Sequence, residues 1–468
     1  MEKNTITIKT LNLIYFIIIL FFGIIFWKER ALFADCSPAL YVFIDSHIPY
    51  FGLNRYSTFI NYILPCFLSL FNLPINIIVF SFALNYLLVP ILVFVFLRYK
   101  QTTIKYEVLF LISFAFFNTY TFYYSLHDYW IGFYLFFILI RIVDDNVFEH
   151  IKYRVWWILI LNLLILNAHT SMLFPLFSFY VFMYFYYNKE NKNMLFYAIL
   201  TLALYFVLNM LFSMSYDKEI VSDNISSISI DLLSRPMIAS FLQTILNINF
   251  FYLIAILLII GVLIFNKKFG LLFLFISISV TSFLLFFIFF GDFQYTIYSE
   301  GQLKAVSTII PTMIVLVLYR FMNKKVIFVF CTCCYIFSTI ALYKGSFVVS
   351  KQYNNIKAML QKFDSNVYLN SNKDLCPLEC ISLSRQSLFI NRLEFDKNYC
   401  IFSNIGNNNF VNILNKSWID ENKKQTNPLL KFPDEIKYID ADSAGIDLST
   451  MFAIYPNHNC NTMIKRLE

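Results

Sequence analysis

The chain has 468 residues, of which 59% are apolar, 20% aromatic and only 14% charged, with a mean hydropathy of +0.65. So little charge on so much apolar surface excludes a soluble globular protein and points to a polytopic membrane protein. The formal charge of +7 does not signal a nucleic-acid partner, because the lysines and arginines cluster in short loops between apolar runs, where bilayer orientation accounts for them.

Lys3 and Lys9 precede an apolar run from Leu11 to Trp27 that is longer than an ordinary signal-peptide core, and Ala31 to Asp35 offers no small-residue cleavage site. Cys36 is not a lipoprotein cysteine, since Asp35 before it is neither small nor neutral. The first segment therefore reads as an uncleaved span. Crossing roughly 30 Å of hydrocarbon takes about 20 helical residues. Runs that approach this length fall near 11–27, 74–97, 106–124, 129–143, 155–168, 172–187, 194–213, 250–265, 270–290, 304–320 and 326–343, giving eleven expected spans.

The stretches 56–97 and 155–187 contain no Asp, Glu, Lys or Arg, so charge elsewhere has to decide how each is divided. With the N-terminus inside and eleven spans, fifteen lysines and arginines fall in inner loops and six in outer ones before the C-terminal tail. This makes 56–72 a helix lying on or dipping into the outer surface, separated from the next span by Pro74. Likewise 155–187 becomes a hairpin of two short helices turning at Asn167 to Ser171, its polar tip outward. Glu107, Arg141 and Lys304 are expected at span ends, snorkelling to the interface.

From Lys344 the composition turns to Asn, Lys, Asp and Ser, with no spanning run. The expected organisation is a membrane domain over 1–343, with an outer loop at 28–73, and a small extracytoplasmic α/β domain over 344–468. Cys376, Cys380, Cys400 and Cys460 fit an oxidising compartment; two disulfides among them would allow three pairings, and sequence does not choose. The C-x3-C of Cys376 and Cys380 lacks the partners of a zinc site. Cys331, Cys333 and Cys334 read as packing residues inside a span. Sequons at Asn224 and Asn415 fall outside by this topology, and there is no internal repeat, glycine-rich phosphate loop or G-x-S-x-G elbow.

Ionisable groups collect at the outer ends: Asp35, Asp45, His47 and Arg55 in the first loop, His127 and Asp128 in the next, and His169 at the hairpin tip. Asp292, Tyr298, Glu300 and Lys304 join them before the tenth span. Four loops offering groups to one face is what an active site at a membrane surface requires. Each also has a plainer explanation: His169 as a helix cap, His127 and Asp128 as a solvated tip, Asp45 and His47 as hydrogen-bonded surface residues.

An acidic residue shortly after the first span is followed by an aromatic segment and a surface helix, Asn54-Arg55-Tyr56 through Leu64-Pro65 and Leu70-Phe71-Asn72-Leu73-Pro74. In this arrangement the chain resembles the GT-C class of membrane glycosyltransferases. Members often carry paired acids; here Cys36 follows Asp35. The resemblance implies a sugar donor on a polyprenyl phosphate, a glycan, lipid or protein acceptor, and a site facing outward from the plasma membrane. It makes Asp35 the general base, with Asp45 the second catalytic candidate. It also makes Arg55, His169 and Lys304 candidates to engage the lipid phosphate, with His47, His127, Asp128, Tyr298 and Glu300 as further substrate-binding candidates. No cofactor follows from it with certainty, and a divalent metal is left open. The rival expectations are a polysaccharide polymerase or ligase, whose bulk usually lies between spans, and a lipid or polysaccharide transporter, which needs a polar path these spans hardly supply.

Overall fold

In the computed structural model the described residues are 2–33, 36–46, 56–71, 73–100, 103–116, 121–123, 129–148, 153–212, 235–289, 303–361, 366–371, 377–397, 401–405 and 436–440. The helices in chain order begin with α1 (Glu2–Ile25), α2 (Trp27–Leu32) and α3 (Cys36–Ser46). A 3-10 helix over Tyr56–Tyr62 runs into α4 (Ile63–Ser69). Then come α5 (Ile75–Arg98), α6 (Lys105–Ala115), α7 (Tyr129–Asp144), α8 (Arg154–Ala168), α9 (Leu173–Tyr186) and α10 (Asn193–Phe212). The series ends with α11 (Arg235–Phe265), α12 (Phe269–Phe289), α13 (Ile309–Phe321), α14 (Lys324–Leu360) and α15 (Pro377–Phe395).

Six helices among the described residues are long and apolar enough to cross a membrane: Thr7–Ile25, Ile75–Arg98, Asn193–Leu211, Phe269–Phe286, Leu303–Phe321 and Lys324–Ala358. The chain is a helical membrane protein. Arg154–Ala168, Thr170–Tyr186 and Phe250–Phe265 are apolar but shorter.

The 155–187 stretch is a hairpin of α8 and α9 joined by a 3-10 turn at Thr170–Met172. Within the 56–72 stretch the chain is helical over Tyr56–Ser69, and Pro74 is the N-cap of α5. Because the Asn85 amide donates to Ile60 O (2.8 Å) and accepts from Leu64 N (3.1 Å), this helix folds back along the first turns of α5. Its exposed side carries Phe59, Ile63, Phe67, Leu70 and Phe71, while Ser57, Thr58, Asn61 and Tyr62 are buried against the bundle. The helix is thus apolar outward and polar inward, the reverse of a helix on a water-soluble protein.

Three expectations are corrected. The segment expected to span 106–124 is helical only to Ala115, about 16 Å at 1.5 Å per residue, and each residue from Tyr106 to Ala115 is buried. A helix wrapped by its neighbours can be too short to reach both faces, since its ends are satisfied by protein instead of lipid headgroups. Secondly, Glu107, Arg141 and Lys304 do not snorkel outward. All three are buried within the protein, because other helices supply their partners. Thirdly, the change of composition at Lys344 does not end a helix. α14 runs on to Leu360, roughly 55 Å in all, because Val349, Tyr353, Ile356 and Leu360 keep a helical spacing and are buried.

Beyond α14, β1 (Asn366–Ser371), β2 (Ile401–Ile405) and β3 (Ile436–Asp440) form a parallel sheet in the order β2-β1-β3, with α15 crossing between β1 and β2. α15 packs on α14 and α3.

Asp35, His47, Arg55, His127, Asp128, Asp292, Tyr298 and Glu300 lie outside the described residues, as do Cys376, Cys400, Cys460, Asn224 and Asn415. Asp45 is placed on α3 and Cys380 on α15, their side chains outside the described set.

Candidate functional site

The opening turns of α7, Tyr129-Trp130-Ile131-Gly132-Phe133, organise one end of the bundle. Gly132 lets the corner between α8 and α9 press close. A Cβ there would stand 3.0 Å from Met172 Cγ and 3.5 Å from both Ala168 Cβ and Ile165 O. The rings of the same turns receive Lys304, whose ammonium lies 3.6 Å from the Trp130 ring centre, 4.8 Å from Phe133 and 5.7 Å from Tyr129. Phe114 of α6 adds a fourth ring at 5.0 Å. Lys304 is 1% exposed, and aromatic faces are among the few apolar surfaces that lower the cost of burying a cation.

The aromatic row continues from Trp130 to Phe114, centres 5.4 Å apart, and from Phe114 to Phe122 at 6.3 Å. Over Phe122 lies a second buried cation, Arg30 of α2, 4.5 Å from the ring, with its Nε donating to Phe122 O at 3.1 Å. Arg30 is a residue that sequence reasoning passed over, counting it only as a loop charge. Nothing in its neighbours announced the role, since Phe122 is 92 positions away.

At the hairpin corner, His169 Nδ1 accepts from Ser171 N (3.2 Å) and is 2.6 Å from Ser171 Oγ. The capping role foreseen for His169 is present, although the ring caps an N–H and not a carbonyl. With Nδ1 accepting, the neutral ring carries its proton on Nε2, which is then a donor. Beside it, Asn167 Oδ1 accepts from Ser57 N at 2.8 Å, joining the corner to the 3-10 helix. Of the sequence candidates, His169 and Lys304 are therefore brought to the same end, along with the helix that follows Arg55. α2 ends at Leu32 and α3 begins at Cys36, and Asp35 between them lies outside the described residues.

The C-terminal unit is tied here too. Lys28 of α2 and Tyr353 of α14 donate to Glu394 Oε1 of α15 at 2.5 and 2.8 Å, and Lys357 donates to Oε2. Burial opposes charge on Glu394, but these donors outweigh it and hold its pKa down to about 2. Glu29, one residue from Lys28, accepts from Ser350 Oγ at 3.1 Å; burial pushes its pKa up.

The opposite end is a dense polar lock. Arg98 pairs with Glu107 at 3.3 Å, and Glu107 also accepts from Asn12 Nδ2 at 3.3 Å. Asp144 accepts from Lys105, Tyr187 and, at 3.1 Å, Tyr106. Arg141 faces Asp145 at 3.4 Å and donates to the carbonyls of Phe96 and Tyr99, while Arg154 donates to Ile142 O and Val143 O. Among the described residues no group of three His, Cys, Asp or Glu side chains stands close enough to hold a metal ion.

Compared with family models, with curated proteins and with solved structures, the chain matches none.

Proposed function

We propose that the chain is an integral membrane glycosyltransferase that moves a sugar from a polyprenyl-phosphate donor to a glycan, lipid or protein acceptor at the outer face of the plasma membrane. The observation that carries this reading is the pair Arg30 and Lys304, from two distant parts of the chain, buried along one aromatic row beside the His169 corner. Cations held ready in a low-dielectric setting stabilise the charge that develops on a departing phosphate more strongly than cations in water do. The aromatic surfaces suit a prenyl chain.

In this proposal eleven segments cross or enter the bilayer, the N-terminus is cytoplasmic and the sheet with α15 is extracytoplasmic. Support comes from the other end, where Arg98, Lys105, Arg141, Arg154 and Arg320 gather as the positive-inside rule expects of a cytoplasmic face. Asp35, between α2 and α3, withdraws the acceptor proton as its oxygen attacks the sugar C1. A single displacement inverts that carbon, and the phosphate leaves against Arg30 and Lys304 with the His169 Nε2–H as a further donor. Asp35→Asn is expected to abolish sugar transfer in membranes while insertion and yield stay intact. Full transfer by that variant removes the base assignment.

A transporter is the second reading, favoured by one observation. Glu107 is fully buried in a chain of polar groups, Arg98 to Glu107 to Asn12 to Tyr335 Oη, the last contact 2.8 Å. Lipid or glycan flux in proteoliposomes without any sugar transfer would decide for it.

A further inference from the structure

The 3-10 helix buries an amide and a hydroxyl that the described residues leave without hydrogen bonds. Asn61 is 1% exposed, and among the described residues neither its Oδ1 nor its Nδ2 has a hydrogen-bond partner; the Ser57 hydroxyl, on the same inward side, is likewise without one there. Buried amides are nearly always satisfied, so an amide with both donor and acceptor idle marks a place where a polar guest belongs. This face packs against α5, α7 and α8, and Asn167 of the hairpin corner is fixed to it through Ser57 N.

The guest's chemistry follows from the groups offered. An amide and a hydroxyl each give and accept hydrogen bonds, as sugar hydroxyls do, whereas the nearby cations that suit a phosphate are Arg30 and Lys304. The 3-10 helix packs on α7, and Lys304 lies over the rings of that helix's opening turns. Resting on the glycosyltransferase reading above, we infer that the inward face of Tyr56–Tyr62 is the subsite for the sugar of the donor, with the Asn61 amide and the Ser57 hydroxyl as its hydrogen-bonding groups. The exposed apolar side of the same helix then touches lipid while its other side holds sugar.

The test measures binding to the full chain in nanodiscs, using short-chain polyprenyl phosphate bare or carrying glucose, galactose or mannose, and methyl hexosides without lipid. Asn61→Leu keeps the number of side-chain heavy atoms and their branching and removes no hydrogen bond, so the variant is expected to fold; Ser57→Ala is the milder companion. Wild type is expected to prefer one sugar-bearing lipid over the bare lipid by about tenfold or more, the worth of one or two hydrogen bonds. Asn61→Leu should erase that preference and keep bare-lipid affinity, with Ser57→Ala between. An undiminished preference in Asn61→Leu overturns the subsite, leaving Asn61 with water only, and spares the donor reading. Binding of methyl hexosides that Asn61→Leu abolishes, with no binding of either lipid, upholds the subsite and sinks the polyprenyl donor. No binding of any probe by wild type overturns both.

Discussion

At the end of the bundle that carries Arg98, Arg141 and Arg154, cations meet carboxylates and backbone carbonyls; at the end that carries Arg30 and Lys304, they lie over aromatic rings. The difference matters because a carboxylate cancels the cation's field, whereas a ring lowers the cost of burial without supplying an opposite charge. The first arrangement locks helices together. The second gathers rings from distant parts of the chain around buried cations.

Substitutions at the two ends should therefore fail in different ways. The largest loss of stability is expected from Arg141→Ala, which removes a buried guanidinium from Asp145 and from the carbonyls of Phe96 and Tyr99 and should cost about 3–5 kcal/mol. Denaturation in detergent reads it; a variant as stable as wild type would mean that the lock does not hold the fold. Lys304→Met should instead leave stability nearly unchanged while sugar transfer falls roughly 10²–10³-fold, the scale of removing one preorganised electrostatic contact. If Lys304→Met loses folding in place of transfer, the two ends are alike after all.

Gly23→Ala probes how tightly the ring-bearing end is packed. A Cβ there would overlap Leu87 Cδ2 and stand 2.8 Å from Arg30 Nη1, so both side chains must move, at about 1–3 kcal/mol. A transfer defect larger than the stability defect would show that the displaced Arg30 is what the reaction misses.

The smallest effect is expected at Glu394. Glu394→Gln should cost about 1–2 kcal/mol, since its lysine partners are a third exposed and screened. The carboxyl's pKa is depressed from 4.5 to about 2, so its contribution is complete above pH 4.5 and fades as pH falls toward 2. Hydrogen exchange of 386–397 against pH reads this fading, which Glu394→Gln should flatten.

Much of the helical plan was legible because apolar runs, charge-free stretches and Pro74 act locally. The α8–α9 hairpin and the helix over 56–69 follow from those cues. The fate of individual charges was not legible. Lys304 looked like an interfacial lysine because its four rings lie at 114, 129, 130 and 133, and Arg30 depends on Phe122. Composition also misplaced the end of α14, since polar residues on its outer side mask the buried spacing of Val349, Tyr353, Ile356 and Leu360. Of the candidate residues, position along the chain put His169 and Lys304 at one end, where the structure also brings them together, while Asn61 carried no signal because an asparagine in a helix is usually solvated.

The clamp on Glu394 joins residues 366 positions apart in the sequence. While the chain is being synthesised, Lys28 leaves the ribosome long before its carboxylate exists, so α2 gains this contact only after α3 to α14 have been made. A chain interrupted before Pro377 would still populate the membrane, but with its first loop unfastened. α15 thus completes the contacts of α2, and a product cut before Pro377 is expected to lack them.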